Sequence, residues 1–217
     1  EFRRVLFRSR LKESRLEPRD KAFATELVYG ALRLQGRLDF YLSHVSHRSL
    51  DELELRVLVV LRLGVFQLYE LKTPAHAAIN ETTELAKAVL GKSAASFVHG
   101  VLRNLERSSI QLPEGSDANS LSIRFSEPEW IVRALSDSLG DSHALPSLLE
   151  AQNIPAAPTL NALPGRKAET EIESAGGEKI EGSERAFRFK GNPGELAVVR
   201  EHRAIVQDYG SQIVVEE

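Results

Sequence analysis

The sequence predicts an all-α helical bundle followed by a small α+β domain. Three observations carry this expectation. Apolar residues as far as about Arg107 recur at helical spacing, and residues 111–120 (QLPEGSDANS) are polar and turn-forming. Beyond them, capped helices alternate with short β-leaning runs, and a mixed pattern after an all-helical one argues for a second, different domain.

Taken in order, Phe23, Leu27, Ala31, Leu34, Leu38, Tyr41 and Val45 advance by three or four residues and form one apolar stripe. Gly30 and Gly36 interrupt it and are candidates for a break or a close approach. Residues 53–71 are apolar nearly all round, as expected for a central helix surrounded by others, with Gly64 marking a close crossing. Thr73-Pro74 is a helix start, with Thr73 as cap. Ala75, Ala78, Ile79, Thr82, Leu85, Ala86 and Val89 then share a face that Gly91 stops. Ser93 caps a further helix with Phe97, Val98, Val101, Leu102 and Leu105 inward. After residues 111–120, Ser126-x-x-Glu129 reads as a capping box opening a helix that buries Trp130, Ile131, Ala134, Leu135 and Leu139 and ends at Gly140. Asp141 caps the next, reaching about Gln152. Residues 158–163, 185–190 and 196–199 lean to β, with a helical stretch around 167–175 closed by Gly176-Gly177.

The 217 residues carry 28 Lys+Arg against 31 Asp+Glu, but the charge is uneven. Residues 1–110 sum to +5 and residues 111–217 to −8, the asymmetry expected when one part meets a polyanion. Residues 1–10 (EFRRVLFRSR) supply +3 of that +5; they resemble cloning-site or adaptor read-through and are set aside from fold reasoning. The absence of Cys excludes disulfides, thiolate metal sites and a cysteine nucleophile within this chain. The densest apolar stretch, residues 53–71, carries Glu54, Arg56, Arg62 and Glu70, so a core helix is expected rather than a membrane span. A soluble, cytoplasmic chain follows as an expectation.

The histidines form no H-x-x-x-H or H-E-x-x-H pair, and His44 and His47 have no carboxylate placed to complete a metal site. Walker A and Gly-x-Ser-x-Gly patterns are missing, and Gly191-Asn192-Pro193-Gly194 reads as a turn. No catalytic, cofactor-binding or metal residue is assigned. The candidate RNA-binding residues are Lys12, Arg15, Arg19, Lys21, Arg33, Arg37, Arg103 and Arg107, which could neutralise phosphates without reading bases. A solvated helix face is the competing reading, because Glu13, Glu17 and Asp20 are interleaved with the first group.

Several segments resemble a known family. RDKAFATELVYGALR (19–33), LDFYLS (38–43), RLGVFQLYELKTPAHAAINETTELAK (62–87) and VLRNLE (101–106) are similar to the NusB-like RNA-binding domain. The form is that at the front of bacterial 16S rRNA cytosine-C5 methyltransferases of the RsmB (Sun/Fmu) type. SEPEWIV (126–132), LLEAQN (148–153) and IVQDYGSQIVVEE (205–217) resemble the segments leading to the catalytic domain of such enzymes. His99, the Leu160-Asn161-Ala162-Leu163 run and Tyr209-Gly210 depart from the family pattern.

Residues 1–10 are expected to be a tail and residues 111–120 a linker, and the resemblance implies a NusB-like RNA-binding bundle at 11–110. It further implies a small α+β pre-catalytic, RNA-facing domain at 121–204, and at 205–217 the start of an α/β methyltransferase region truncated before its S-adenosylmethionine loop. S-adenosylmethionine is then the cofactor of the intact parent and is not bound by this portion; 16S rRNA is the partner, and the chain is a monomer away from membranes. Residues 206–215 are expected to be weakly anchored. The competing readings are a non-enzymatic NusB-like antitermination factor and a purely structural interaction domain.

Overall fold

The computed structural model describes residues 2–140, 143–155 and 157–216, with side chains from Phe7 to Val214. It divides into two compact units, Glu1–Asn153 and Ile154–Glu217. The division falls after Asn153 rather than within 111–120, because the helices beyond residue 117 pack onto the first unit. No helix among the described residues is long and apolar enough to cross a membrane.

The first unit is helical: α1 (Phe2–Glu13), α2 (Pro18–Arg33), α3 (Gln35–Val45), α4 (Leu55–Val65), α5 (Ala75–Leu90), α6 (Lys92–Arg107), α7 (Ala118–Phe125), α8 (Glu129–Leu139) and α9 (Leu145–Asn153). Residues 2–10 are thus helical and continuous with the residues that follow. Their helix runs unbroken through Leu11, and the Phe7 ring meets Tyr29 edge-on at 5.7 Å. Pro18 starts α2 where its missing N–H costs nothing. The α2–α3 break falls at Leu34, between the two glycines expected to cause it. At the centre, α4 continues into a π-helical turn, Phe66–Glu70. Leu61 and Val65 are fully buried there among Leu38, Leu42, Ile79, Leu102 and Leu105. It is not enclosed on every side, however: Leu55 and Val59 are 65% and 43% exposed.

Two glycines let this core close. A Cβ on Gly30 would lie 2.0 Å from Cζ of the buried Phe66 ring, and one on Gly64 would lie 2.8 Å from Leu102 Cδ1. A glycine inside a helix costs about 1 kcal/mol relative to alanine, and at these two positions close packing accounts for it.

Polar clips join the helices. Arg62 donates from Nε and Nη2 to the Asp39 carboxylate, each at 2.7 Å, tying α4 to α3. In the interior Gln67 Nε2 donates to Thr82 Oγ1 at 3.2 Å. Arg37 is the most connected: Nη1 reaches Glu70 Oε2 at 2.9 Å, Nε reaches the Arg124 carbonyl at 2.8 Å, and its backbone N–H donates to Ser126 Oγ at 2.9 Å. One residue of α3 therefore holds both the π turn and the end of α7.

That clip explains why the expected capping box does not form. Ser126 sits at φ 58° as the left-handed end of α7, its hydroxyl taken by Arg37, and Pro128 rather than Ser126 precedes the first turn of α8. α7 itself begins inside the stretch expected to be a linker, where Asp117 accepts from the Ser120 N–H at 3.0 Å. Neither Thr73 nor Ser93 caps its helix; Pro74 and Gly91 occupy those positions. In α8 the inward residue is Val132, packed with Leu121, Phe125, Leu145 and Leu149, while Trp130 is 70% exposed and Leu139 41%. The expected cap Asp141 lies outside the described residues.

The second unit is a sheet of order β2-β3-β1-β4, with β1 (Thr159–Ala162), β2 (Glu178–Lys179), β3 (Ala186–Arg188) and β4 (Ala204–Val206), all antiparallel. Leu160 sits opposite Phe187 on one side and Val206 on the other. With Ile172 of α10 (Glu169–Ser174) and Val198 of α11 (Ala197–Arg200), these strands form a separate small core. Of the β-leaning run 196–199, only Leu196 is extended; Ala197 to Val199 are helical, with the Leu196 carbonyl accepting from the Val199 and Arg200 N–H groups. α12 (Tyr209–Glu216) follows β4, and its Gln212 is buried, donating to the Gln207 carbonyl at 2.9 Å.

Two stability measurements follow. Gly30→Ala must displace the Phe66 ring and is expected to lower the unfolding free energy by about 1–3 kcal/mol, read as a lower urea midpoint; an unchanged midpoint would show that the ring has room to move. Arg37→Lys keeps the charge but loses the fork that spans Glu70 and Arg124, and should cost roughly 1–3 kcal/mol in the same measurement. A neutral result there would remove the clip from this account.

Candidate nucleic-acid interface

The basic residues singled out in the sequence have different fates. Lys12, Arg15 and Arg19 are exposed along α1, the connection after it and the start of α2, and Lys21 is half-buried. Exposed Glu13, Glu17 and Asp20 stand among them, so this group presents mixed charge rather than a basic stripe. Arg33 is half-buried in the last turn of α2. Arg37, with a side chain 17% exposed and its guanidinium spent on Glu70 and Arg124, is a structural clip and not an available cation.

Arg103 and Arg107 are brought together. The inward face of α6 is fixed by Val98, Val101, Leu102 and Leu105, all buried, so residues 96, 100, 103, 104 and 107 turn outward as a consequence of helical period. Asn104 Nδ2 donates to the Val45 carbonyl at 3.2 Å and ties this face to the end of α3. Between them lies a groove of about 670 Å³. Phe97, Gly100, Arg103 and Arg107 of α6 line one side, and Val45 with His47 the other. Among the described residues, none that lines it is acidic. Arg103 does pair with Glu106 at 2.8 Å, while its side chain stays 44% exposed; Arg107 makes no ion pair among the described residues.

His47 is the residue that sequence reasoning missed as part of this site. It stands far from α6 in the chain, and only the Asn104–Val45 bond signals their neighbourhood in space. His44 does not join it: its Nδ1 lies 2.7 Å from the Phe40 carbonyl on its own helix. Among the described residues no group of three or more metal-ligating side chains occurs. A second groove, about 480 Å³, contains Arg48 and Arg62 but also Asp39 and Asp51, so its charge is balanced.

Inside the bundle, α3, the π turn and α6 are tied together by two tyrosines. The Tyr41 and Tyr69 rings lie 4.2 Å apart, and Tyr69 Oη donates to the Leu105 carbonyl at 3.2 Å. Burial raises the Tyr69 hydroxyl above its usual value; at Tyr41 burial does the same, aided by the Glu70 charge and opposed by Arg37. Both hydroxyls therefore stay protonated and neutral. The arrangement can attract and orient a polyanion; it offers no nucleophile or acid–base pair.

Comparison with known proteins places this geometry. Residues 2–107 match the NusB family. A Mycobacterium tuberculosis (strain ATCC 25618 / H37Rv) protein whose name describes it as a methyltransferase, Rv1407, is 36% identical over 208 residues, covering 90% of this chain and 45% of that one. The ribosomal RNA small subunit methyltransferase B of Vibrio vulnificus (strain YJ016) is 30% identical over 138 residues, covering 64% of this chain and 32% of its own. The chain thus spans less than half the length of these relatives. Among solved structures, the crystal structure of PH0851 superposes with a TM-score of 0.68 over 93% of this chain and 47% of that one, at 15% identity, a likeness of fold. With a NusB match over residues 2–107, the chain is a NusB-domain protein, and over 64% of its length it is similar to a ribosomal RNA small subunit methyltransferase B.

Proposed function

We propose that this chain is the RNA-gripping front portion of an S-adenosylmethionine-dependent methyltransferase acting on C5 of a cytosine in 16S rRNA. Its role is to hold folded RNA and deliver one base to a catalytic domain. The observation that carries this reading is the groove in which Arg103, Arg107 and His47 converge without an acidic residue in its lining. Phosphate neutralisation by such residues supplies affinity and makes it salt-dependent. The similarity to Rv1407 over 208 residues extends well past the NusB match, which favours the methyltransferase reading over a stand-alone antitermination factor. In this reading residues 11–110 grip the RNA, and residues 121–204, which run from the end of the first unit into the second, are the pre-catalytic portion of the chain. The protein works as a cytoplasmic monomer.

Methyl transfer to C5 of cytosine needs a soft, readily ionised nucleophile to attack C6 first, which makes C5 carbanion-like enough to accept the methyl group. A thiolate serves that purpose, and this chain contains no cysteine. The methyl donor therefore has no partner chemistry here, and the contribution of these 217 residues is binding and orientation.

Two measurements test this. Binding of a fluorescent small-subunit rRNA hairpin, followed by anisotropy across a salt series, should show a linear fall of log affinity with log salt. Arg103→Ala and Arg107→Ala should each reduce the slope by about 1; salt-independent binding, or none, would sink the RNA reading. Incubated with labelled S-adenosylmethionine and rRNA, the chain alone should transfer no methyl group, and incorporation into cytosine would overturn the division of labour.

A further inference from the structure

Gly100 differs from the glycines that let the core close. It lies in the middle of α6, is exposed, and a Cβ built on it would meet nothing within 4 Å. At Gly30 and Gly64 a neighbouring side chain fills the space; at Gly100 the helix carries the same propensity cost with no packing inside the protein to explain it. A glycine under open space lets the atoms of a partner approach the backbone closely. Gly100 is also part of the lining of the 670 Å³ groove, with Phe97 one turn before it and Arg103 and Arg107 one and two turns after it on the same face. The volume is within the usual range of small-molecule sites, about 300–1,000 Å³.

We propose that this groove seats a single unpaired nucleotide of the bound RNA, its base lying flat over the bare backbone at Gly100 beside Phe97, its flanking phosphates on Arg103 and Arg107. The inference rests on the RNA-binding reading and deepens it: the bundle recognises a single-stranded loop rather than a duplex. Unpaired bases are the part of RNA that a protein can stack upon, and a base face needs a flat, partly apolar surface next to cations. The groove supplies that combination, with half-buried Phe97 and buried Val101 beneath guanidinium groups and no carboxylate among its lining residues.

The test is Gly100→Leu, which fills the groove while its Cβ has room, with Gly100→Ala as a smaller step. Each variant is titrated with a hairpin carrying an unpaired loop and with a blunt duplex of the same length, at one salt concentration. Urea midpoints should be equal to or above that of the parent chain, confirming that the helix is intact. Gly100→Leu should bind the looped hairpin at least about tenfold more weakly and the duplex within about twofold of the parent. Unchanged affinity for the loop would overturn the nucleotide seat and leave the groove for a protein partner, without touching the RNA reading. Equal loss on loop and duplex would also overturn the seat. Absence of RNA binding by the parent chain would remove both.

Discussion

The orientation of α6 is the constraint on which the candidate site depends. Its five buried residues, Ala95, Val98, Val101, Leu102 and Leu105, commit one side of the helix to the core around α4. Because Leu102 also reaches into the space left by Gly64, that helix cannot rotate or shift outward without opening the centre of the bundle. The exposed residues have no freedom of placement after that. Arg103, Arg107 and Gly100 stand where the 3.6-residue period puts them, and the Asn104–Val45 hydrogen bond brings the end of α3 to meet them.

The same economy accounts for the division between structural and available charge. Arg37 and Arg62 lie near the centre of the bundle, and each is paired with a carboxylate. In partly buried positions an unpaired guanidinium would be costly, so their pairing is a condition of folding. Arg107 has no such obligation. Counting cations along the chain cannot separate these cases, which is why Arg37 stood beside Arg103 and Arg107 as a candidate until its partners were known.

Much of the helical bundle was legible because apolar period alone defines an amphipathic helix. The stripe through Leu38, Tyr41 and Val45, the crossing at Gly64, the stops at Gly91 and Gly140 and the inward face of α6 all follow from it. What escaped was settled by competition between neighbours distant in sequence. Ser126 and Glu129 have the spacing of a capping box, but the Arg37 N–H claims the serine hydroxyl. Trp130 is a large apolar residue of the kind that cores take up, yet it stands on the exposed side of α8. α7 is hidden in polar sequence, held by the Asp117 cap and by Leu121 and Phe125. Leu196 to Val199 has the residues of a strand, but the strands that pair with β1 are Ala186–Arg188 and Ala204–Val206. His47 reaches the groove only through tertiary contact.

The central claim is that RNA meets this protein on the outward face of α6. Ultraviolet crosslinking of a looped small-subunit rRNA hairpin, with the attached peptides mapped by mass spectrometry, addresses it directly. The account predicts adducts on the segment holding Phe97 to Arg107 and on the one holding His47. Adducts confined to the sheet of the second unit, or to the helix bearing Trp130, would contradict it.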